Sequence, residues 1–240
     1  MYKDRVFLAT AHRHVGALTG VEAATGKILW QTKRKKLPNH TSPAVFHVNG
    51  KDQILICGMN QIAGFDPETG KRNWTSDATT EETVGTVVTH GDLIYASGGW
   101  PKHETVCVKG DGSGDVVWRN KVKIYQPSLL SHAGYIYGIT DNGFGYCWDA
   151  ETGKEMWTVR LNGKYSASPV LVGEHIFMAD ESGRTTVFKA NPEKFDVVHI
   201  NKLGHENFAS PVFCGDRIYM RVAMRNFPLR QEYLFCIGKK

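Results

Sequence analysis

The sequence has no run of eighteen apolar residues, so no segment is long enough to cross a bilayer as a helix. Its opening residues, Met1 to Leu8, are too short and too charged to read as a secretory signal. The five cysteines, Cys57, Cys107, Cys147, Cys214 and Cys236, are odd in number and include neither a CxxC nor an adjacent pair. That argues against a disulfide framework and against a zinc site; most of them sit in apolar strand patterns, where a free thiol serves as a small hydrophobe. No Gly-x-Ser-x-Gly, phosphate loop or His-Glu-x-x-His occurs. No window carries a helical period. An acidic excess is missing as well: the net charge is +5, and Lys33, Arg34, Lys35 and Lys36 form the one dense basic run. Without neighbouring aromatics for base stacking it does not point to nucleic acid. It reads as a solvated turn between strands, with a phosphate or an acidic surface as the alternative.

What the chain has is a repeat. Trp30, Trp74, Trp118 and Trp157 are spaced 44, 44 and 39 residues apart. Each follows one turn pattern, clearest at Asp66-Pro67-Glu68-Thr69-Gly70 and Asp149-Ala150-Glu151-Thr152-Gly153, near-complete at Glu22 to Gly26, and degenerate at Ser113-Gly114. Asp and Pro favour turn entry, and Gly supplies a positive φ at the close. A fifth copy, residues 190–198, has neither Thr-Gly nor Trp, so a looser outer edge is expected there. Between the turns a second marker recurs about every 42 residues, at Ser42, Gly85, Ser128, Ser168 and Ser210, each opening a short apolar strand. A polar turn and another apolar strand follow it, such as Leu93-Ile94-Tyr95 or Tyr135-Ile136-Tyr137.

Each unit therefore reads as four short strands, A to D, with Trp leading D. Four strands in about forty residues make the blade of a β-propeller. The expected fold is all-β: a single domain over residues 1–240 of four-stranded antiparallel blades. It has four full repeats at about 42–203 and partial repeats at 4–33 and 208–240. That is about six blades with incomplete first and last ones; the alternative is an arc of a seven- or eight-bladed propeller, which invites self-association.

At residues 64–74 and their copies the motif resembles the pyrroloquinoline-quinone-like, or quinoprotein-dehydrogenase-like, propeller repeat, over essentially the whole chain. The resemblance implies that Trp30, Trp74, Trp118 and Trp157 act as structural clasps, each docked on the neighbouring blade's motif near Gly20, Gly64 and Cys147. The family is mixed. Some members are quinone- and calcium-dependent dehydrogenases; the scaffold lipoprotein of the bacterial outer-membrane assembly machine keeps the repeat without the cofactor. The dehydrogenases carry a vicinal Cys-Cys disulfide and a matched set of acids for calcium and base catalysis, neither of which stands out here. The reading is therefore the non-catalytic branch, periplasmic or secreted by resemblance, with no cofactor. Pyrroloquinoline quinone with calcium is the alternative.

Propeller geometry puts the D-to-A connections and the B-to-C loops on one face and the Thr-Gly turns on the other. His40, Glu82, Tyr125, Tyr165 and Asn207 precede the five A strands and should ring the mouth of the central channel, as a ligand rim or a plug. Irregular B-to-C loops on that face hold His12 and His14, then Trp100 and His103, and a long sixth loop, residues 221–230, with Arg225, Asn226, Phe227 and Pro228 at its centre. Trp100 belongs to no repeat position. His12, His14, His40 and His103 with Glu82 come from neighbouring blades, but four histidines on one face are a weak metal signal, so the reading assigns no metal and no catalytic residue. The function expected is a scaffold binding a protein, peptide or glycan on this face. The alternative is an enzyme, quinone-dependent or carbohydrate-active, working through the His/Glu/Tyr rim.

Overall fold

The computed structural model describes residues 2–226 and 229–238, and every regular element among them is a β-strand. The first sheet has three strands, β1 (Arg5–Ala11), β2 (Gly16–Glu22) and β3 (Ile28–Lys33). The second has four: β4 (Ala44–Val48), β5 (Lys51–Gly58), β6 (Gln61–Phe65) and β7 (Arg72–Ser76). The third consists of β8 (Val88–His90), β9 (Leu93–Gly98), β10 (Glu104–Lys109) and β11 (Val116–Asn120). The fourth is β12 (Leu130–His132), β13 (Tyr135–Ile139), β14 (Phe144–Asp149) and β15 (Glu155–Arg160). The fifth is β16 (Val170–Val172), β17 (His175–Ala179), β18 (Arg184–Lys189) and β19 (Val197–Lys202). A three-stranded sixth sheet closes the series with β20 (Val212–Cys214), β21 (Arg217–Asn226) and β22 (Leu229–Ile237). Each sheet is an antiparallel meander in sequence order, a propeller blade. The first lacks its A strand and the last its D strand, in line with the repeat. No helix among the described residues is long and apolar enough to cross a membrane.

The turn between strands C and D shows why its residue pattern recurs. Asp66 N–H donates to Lys71 O and Gly70 N–H to Asp66 O, each at 2.8 Å. Asp66 Oδ1 then accepts from Glu68 N–H (2.9 Å), Thr69 N–H (2.8 Å) and Thr69 Oγ1 (2.9 Å). Burial works to raise the Asp66 pKa, but the bonds from Thr69 and Glu68 outweigh it and hold the carboxyl below its usual range. In the third copy Ser113 does the work of Thr69, donating both N–H and Oγ to Asp111 Oδ1 at 2.9 and 2.6 Å. In the fifth, Asn191 Oδ1 accepts from Glu193 N–H at 2.8 Å.

Strands C and D share one irregularity in five blades. The ladder slips by one residue after the pairs Gly20–Trp30, Gly64–Trp74, Cys107–Trp118, Cys147–Trp157 and Val187–His199. The residue before each Trp is the extra one, a β-bulge. The fifth blade keeps the bulge without the Trp. Its C–D ladder, from Arg184–Lys202 to Phe188–Val197, is as long as the one joining β14 to β15. The looser edge expected there is absent from the pairing but present in the packing, for every residue of β19 is exposed, unlike the D strands of the first four blades. Phe195, in the turn itself, supplies packing instead, 4.7 Å from Phe188 and 5.4 Å from Trp157 by ring centroid.

Contacts divide the chain into two compact units, one running to Ser128 with Glu151–Gly153, the other comprising Leu129–Ala150 and the residues from Lys154 onward. The first holds the first three blades. Its core lies between sheets: Leu18, Ile54, Ile56, Ala63 and Phe65 pack with Phe7 and Trp30 between the first and second. Leu55, Cys57, Ile62, Trp74, Ile94 and Val106 fill the space between the second and third. In the other unit Tyr137, Ile139, Cys147, Ile176, Met178 and Phe188 form the layer between the fourth and fifth.

Two expectations need correction. The A strands begin about two residues after their markers, because Ser42-Pro43 and its equivalents belong to the connection: Thr86 N–H and Ser168 N–H each donate to the marker serine of the following blade, Ser128 (3.1 Å) and Ser210 (2.9 Å). The long sixth loop is mostly strand: β21 and β22 pair continuously from Ile218–Ile237 to Asn226–Leu229. Phe227 and Pro228, placed at the centre of that loop, lie outside the described residues.

Candidate functional site

In the first unit the B–C turns and the D–A connections are tied together by backbone bonds. Met59 N–H donates to Glu81 O (2.7 Å), Asn60 N–H to Thr80 O (3.0 Å) and His40 N–H to Thr83 O (3.0 Å). Buried Asn39 reinforces this, accepting from Thr83 N–H at 3.2 Å and donating to Cys57 O at 2.8 Å. The frame explains why a loop here holds its shape: its polar backbone is satisfied by the neighbouring connection rather than by water.

Trp100 stands on that frame. Glu82 N–H donates to Trp100 O at 3.1 Å, forming an isolated bridge. The two residues before it are buried glycines in tight quarters: a Cβ on Gly99 would lie 2.7 Å from Tyr125 Cβ, and one on Gly98 3.1 Å from Thr80 Cβ. Trp100 as a whole is 58% exposed. Beside it, Tyr125 donates its hydroxyl to Glu82 Oε2 at 3.3 Å, and Lys123 Nζ sits 5.4 Å from the Tyr125 ring centre. Pro101, Lys102, His103 and Lys121 line an open depression next to Trp100. His40 is exposed and, with Phe7, Leu8 and Pro43, lines another. His12 and His14 are exposed on their own loop, ring centres 5.2 Å apart. The chain thus brings Glu82, Tyr125 and Trp100 together, while His12 and His14 pair with each other.

The second unit treats its candidates differently. Tyr165 and Asn207 are buried, 1% and 2% exposed, and correct the expectation of a rim at these positions. Tyr165 belongs to the core layer between the fourth and fifth blades, and burial pushes its hydroxyl up to about 12. Asn207 folds back on its own segment, donating to Ala209 O at 3.0 Å. Arg225 is exposed in β21 and pairs with Glu206, which also binds Arg230 Nε at 2.6 Å. Sequence reasoning missed Asp180. It is fully buried in a B–C turn, accepts from Ser182 N–H, Ser182 Oγ and Arg184 N–H, and forms an ion pair with Arg184 at 2.9 Å. Its signal was the Asp-x-Ser-Gly turn spelling; the bonds make it a turn staple.

The repeat tryptophans are not equivalent. Trp30 donates its indole N–H to Pro67 O of the next blade at 3.3 Å, and Trp157 donates to Asn191 O at 2.9 Å. Trp118 covers Gly153, where a Cβ would come within 2.6 Å of its Cδ2. Trp74 instead bonds within its own blade, to buried Gln53 Oε1 at 2.8 Å, and Ser76 makes the reach to the next turn at Gly114 O (2.5 Å).

Among the described residues no group of three or more His, Cys, Asp or Glu converges to hold a metal ion, and the five cysteines are free.

Comparison with known proteins places the fold. BamB from Moraxella catarrhalis superposes with a TM-score of 0.71 at 18% identity, over 92% of this chain and 68% of that one. A europium-containing methanol dehydrogenase gives 0.55 at 13%, over 93% and 72%. A serine/threonine-protein kinase, AfsK of Streptomyces griseus, is 26% identical over 184 residues, 70% of this chain, which spans only 22% of the kinase. A family model described as outer membrane protein assembly factor BamB matches residues 1–144 and again 102–223. With most of its length matched by that model, the chain belongs to the BamB-type family of pyrroloquinoline-quinone-like β-propellers.

Proposed function

We propose that this propeller is a non-catalytic scaffold that binds a protein partner through the loop end of its first unit, with Trp100 as the anchor. One observation carries the reading: a largely exposed indole that no repeat position requires, on a backbone fastened to Glu82 and packed on Tyr125. A rigid exposed aromatic loses little entropy on docking, and such residues dominate binding energy at interfaces. Lys102, His103 and Lys121 beside it favour an acidic surface around the indole's pocket. Family membership supports a protein partner over a peptide or glycan, and supports a periplasmic or secreted setting.

The test is site-specific photocrosslinking in the native compartment, with the crosslinker at position 100, position 103 or, as control, position 71 on the C–D turn. A discrete adduct at the first two positions and none at the third is expected. Trp100→Ala with His40→Ala should abolish the interaction while moving Tm by no more than about 2 °C, as exposed substitutions do. Adducts only from position 71, or a sharp fall in Tm, would sink the reading. So would a stoichiometric quinone spectrum after adding pyrroloquinoline quinone and calcium.

A further inference from the structure

The basic run reads as a solvated turn in sequence, and the fold does something else with it. Lys33 ends β3, and Arg34 N–H then caps that sheet on Gly16 O at 2.8 Å. The chain carries Arg34 inward, leaving its side chain half-buried, with Nη1 out of contact with solvent and without a hydrogen-bond partner. Lys35 is fixed from the other side, its Nζ donating to Met59 O at 3.3 Å. These residues border a recess of about 330 Å³ against the second blade, where Arg72 adds another cation and Ile56, Met59 and Phe65 provide buried apolar wall.

The charge of this recess is uncompensated. No Asp or Glu lines it. Among the described residues none of Lys33, Arg34, Lys35 and Arg72 forms an ion pair. Burial lowers the pKa of Arg34, and the group nearest in influence is the Cys57 thiol, which burial pushes up to about 12 and so keeps neutral. A guanidinium nitrogen taken out of water with no acceptor is costly. Proteins carry such arrangements where a ligand supplies the missing charge.

We infer that the recess binds a small dianion with a compact apolar body, an aryl phosphate, its charged end held by Arg34, Lys33, Lys35 and Arg72 and its apolar end against Ile56, Met59 and Phe65. A dianion suits four cations better than a single charge, and the apolar wall separates this ligand from free inorganic phosphate. The site is independent of the Trp100 surface and stands or falls without it.

Calorimetric titration of the full chain with phenyl phosphate, inorganic phosphate and phenol tests this. Saturable binding of one phenyl phosphate per chain is expected, tighter than inorganic phosphate, with none by phenol. Arg34→Met should weaken phenyl phosphate binding roughly ten-fold or more. It should also raise Tm of the free protein, since it removes a buried charge without a partner. Arg72→Gln and Lys33→Gln, both at exposed side chains, should each weaken binding and fold normally whatever Arg34→Met does. No saturation with phenyl phosphate, equal affinity for inorganic phosphate, or unchanged affinity in Arg72→Gln and Lys33→Gln overturns the inference.

Discussion

Gly26 and Gly70 hold nearly the same backbone angle, φ +74° and +70°, at the same place in successive turns, and differ in what stands beside them. Nothing lies within 4 Å of a Cβ built on Gly26, whereas one on Gly70 would sit 2.5 Å from Trp30 Cδ2. Gly26→Ala should therefore cost about 1 kcal/mol, the backbone strain alone, and Gly70→Ala about 2–4 kcal/mol, since the indole must move as well. Urea midpoints at constant m-value measure the difference. Trp74→Phe should cost about 1–3 kcal/mol by leaving buried Gln53 Oε1 without its donor. The thiols give a further check. Cys214 and Cys236 are exposed, and Cys57, Cys107 and Cys147 buried, so a water-soluble disulfide reagent should titrate two thiols in the native protein and five after unfolding. Arg217, donating to the Cys236 sulfur, holds that thiol below its usual range, so of the two exposed thiols Cys236 should keep reacting longest as pH is lowered. At this scale the sequence was readable where a residue broke the repeat, as Trp100 does. It was not readable at Tyr125 and Tyr165, which share a repeat position and part company in three dimensions. One is half-buried against Glu82; the other turns into the core between two sheets. Spacing places a residue on a connection but does not carry the rotation of that connection, which its neighbours decide.

The strands themselves were the most legible level, because alternation and the turn residues are local. The exception was the hairpin of β21 and β22. Its many arginines and its Pro read as an irregular loop, and what supports it as a ladder is charge pairing: across the strands from Arg221 to Glu232, along β22 from Arg230 to Glu232, and from both strands to Glu206 in the preceding connection. Glu232 binds Arg230 at 2.9 Å and also Arg221, while Glu206 reaches Arg225 and Arg230. Hydrogen bonds from Arg230, and then from Arg225 and Arg221, hold the carboxyls of Glu206 and Glu232 below their ordinary value of 4.5. A pKa depressed in the folded form means a contribution that is present above the unfolded value and lost as pH falls through the folded one. Amide protection factors in residues 217–237 should therefore drop as pH is lowered from 4.5, and drop also in high salt. The hairpin of β13 and β14, whose ladder rests on Ile136, Tyr137 and Cys147, should hold its protection under the same changes. Equal loss in both would show that the ion pairs do not support the sixth blade.

Across the chain, stability should behave as a sum of blades and the contacts between successive blades. Trp74→Phe and Trp157→Phe lie in different units and share no partner, so their costs should add to within about 0.5 kcal/mol. Trp30→Phe and Gly70→Ala touch one another and should not add; once the ring is smaller, the new methyl costs less. The bulge before each D-strand tryptophan bears on how such blades are recombined. It survives in the fifth blade, where the tryptophan is gone, so it belongs to the backbone and not to the indole. A chimaera that exchanges outer strands between blades therefore has to be spliced with Leu29, Asn73, Val117, Met156 or Val198 counted as the supernumerary residue. Joined one position off, the grafted strand would present its packing side to solvent, however well its composition matched.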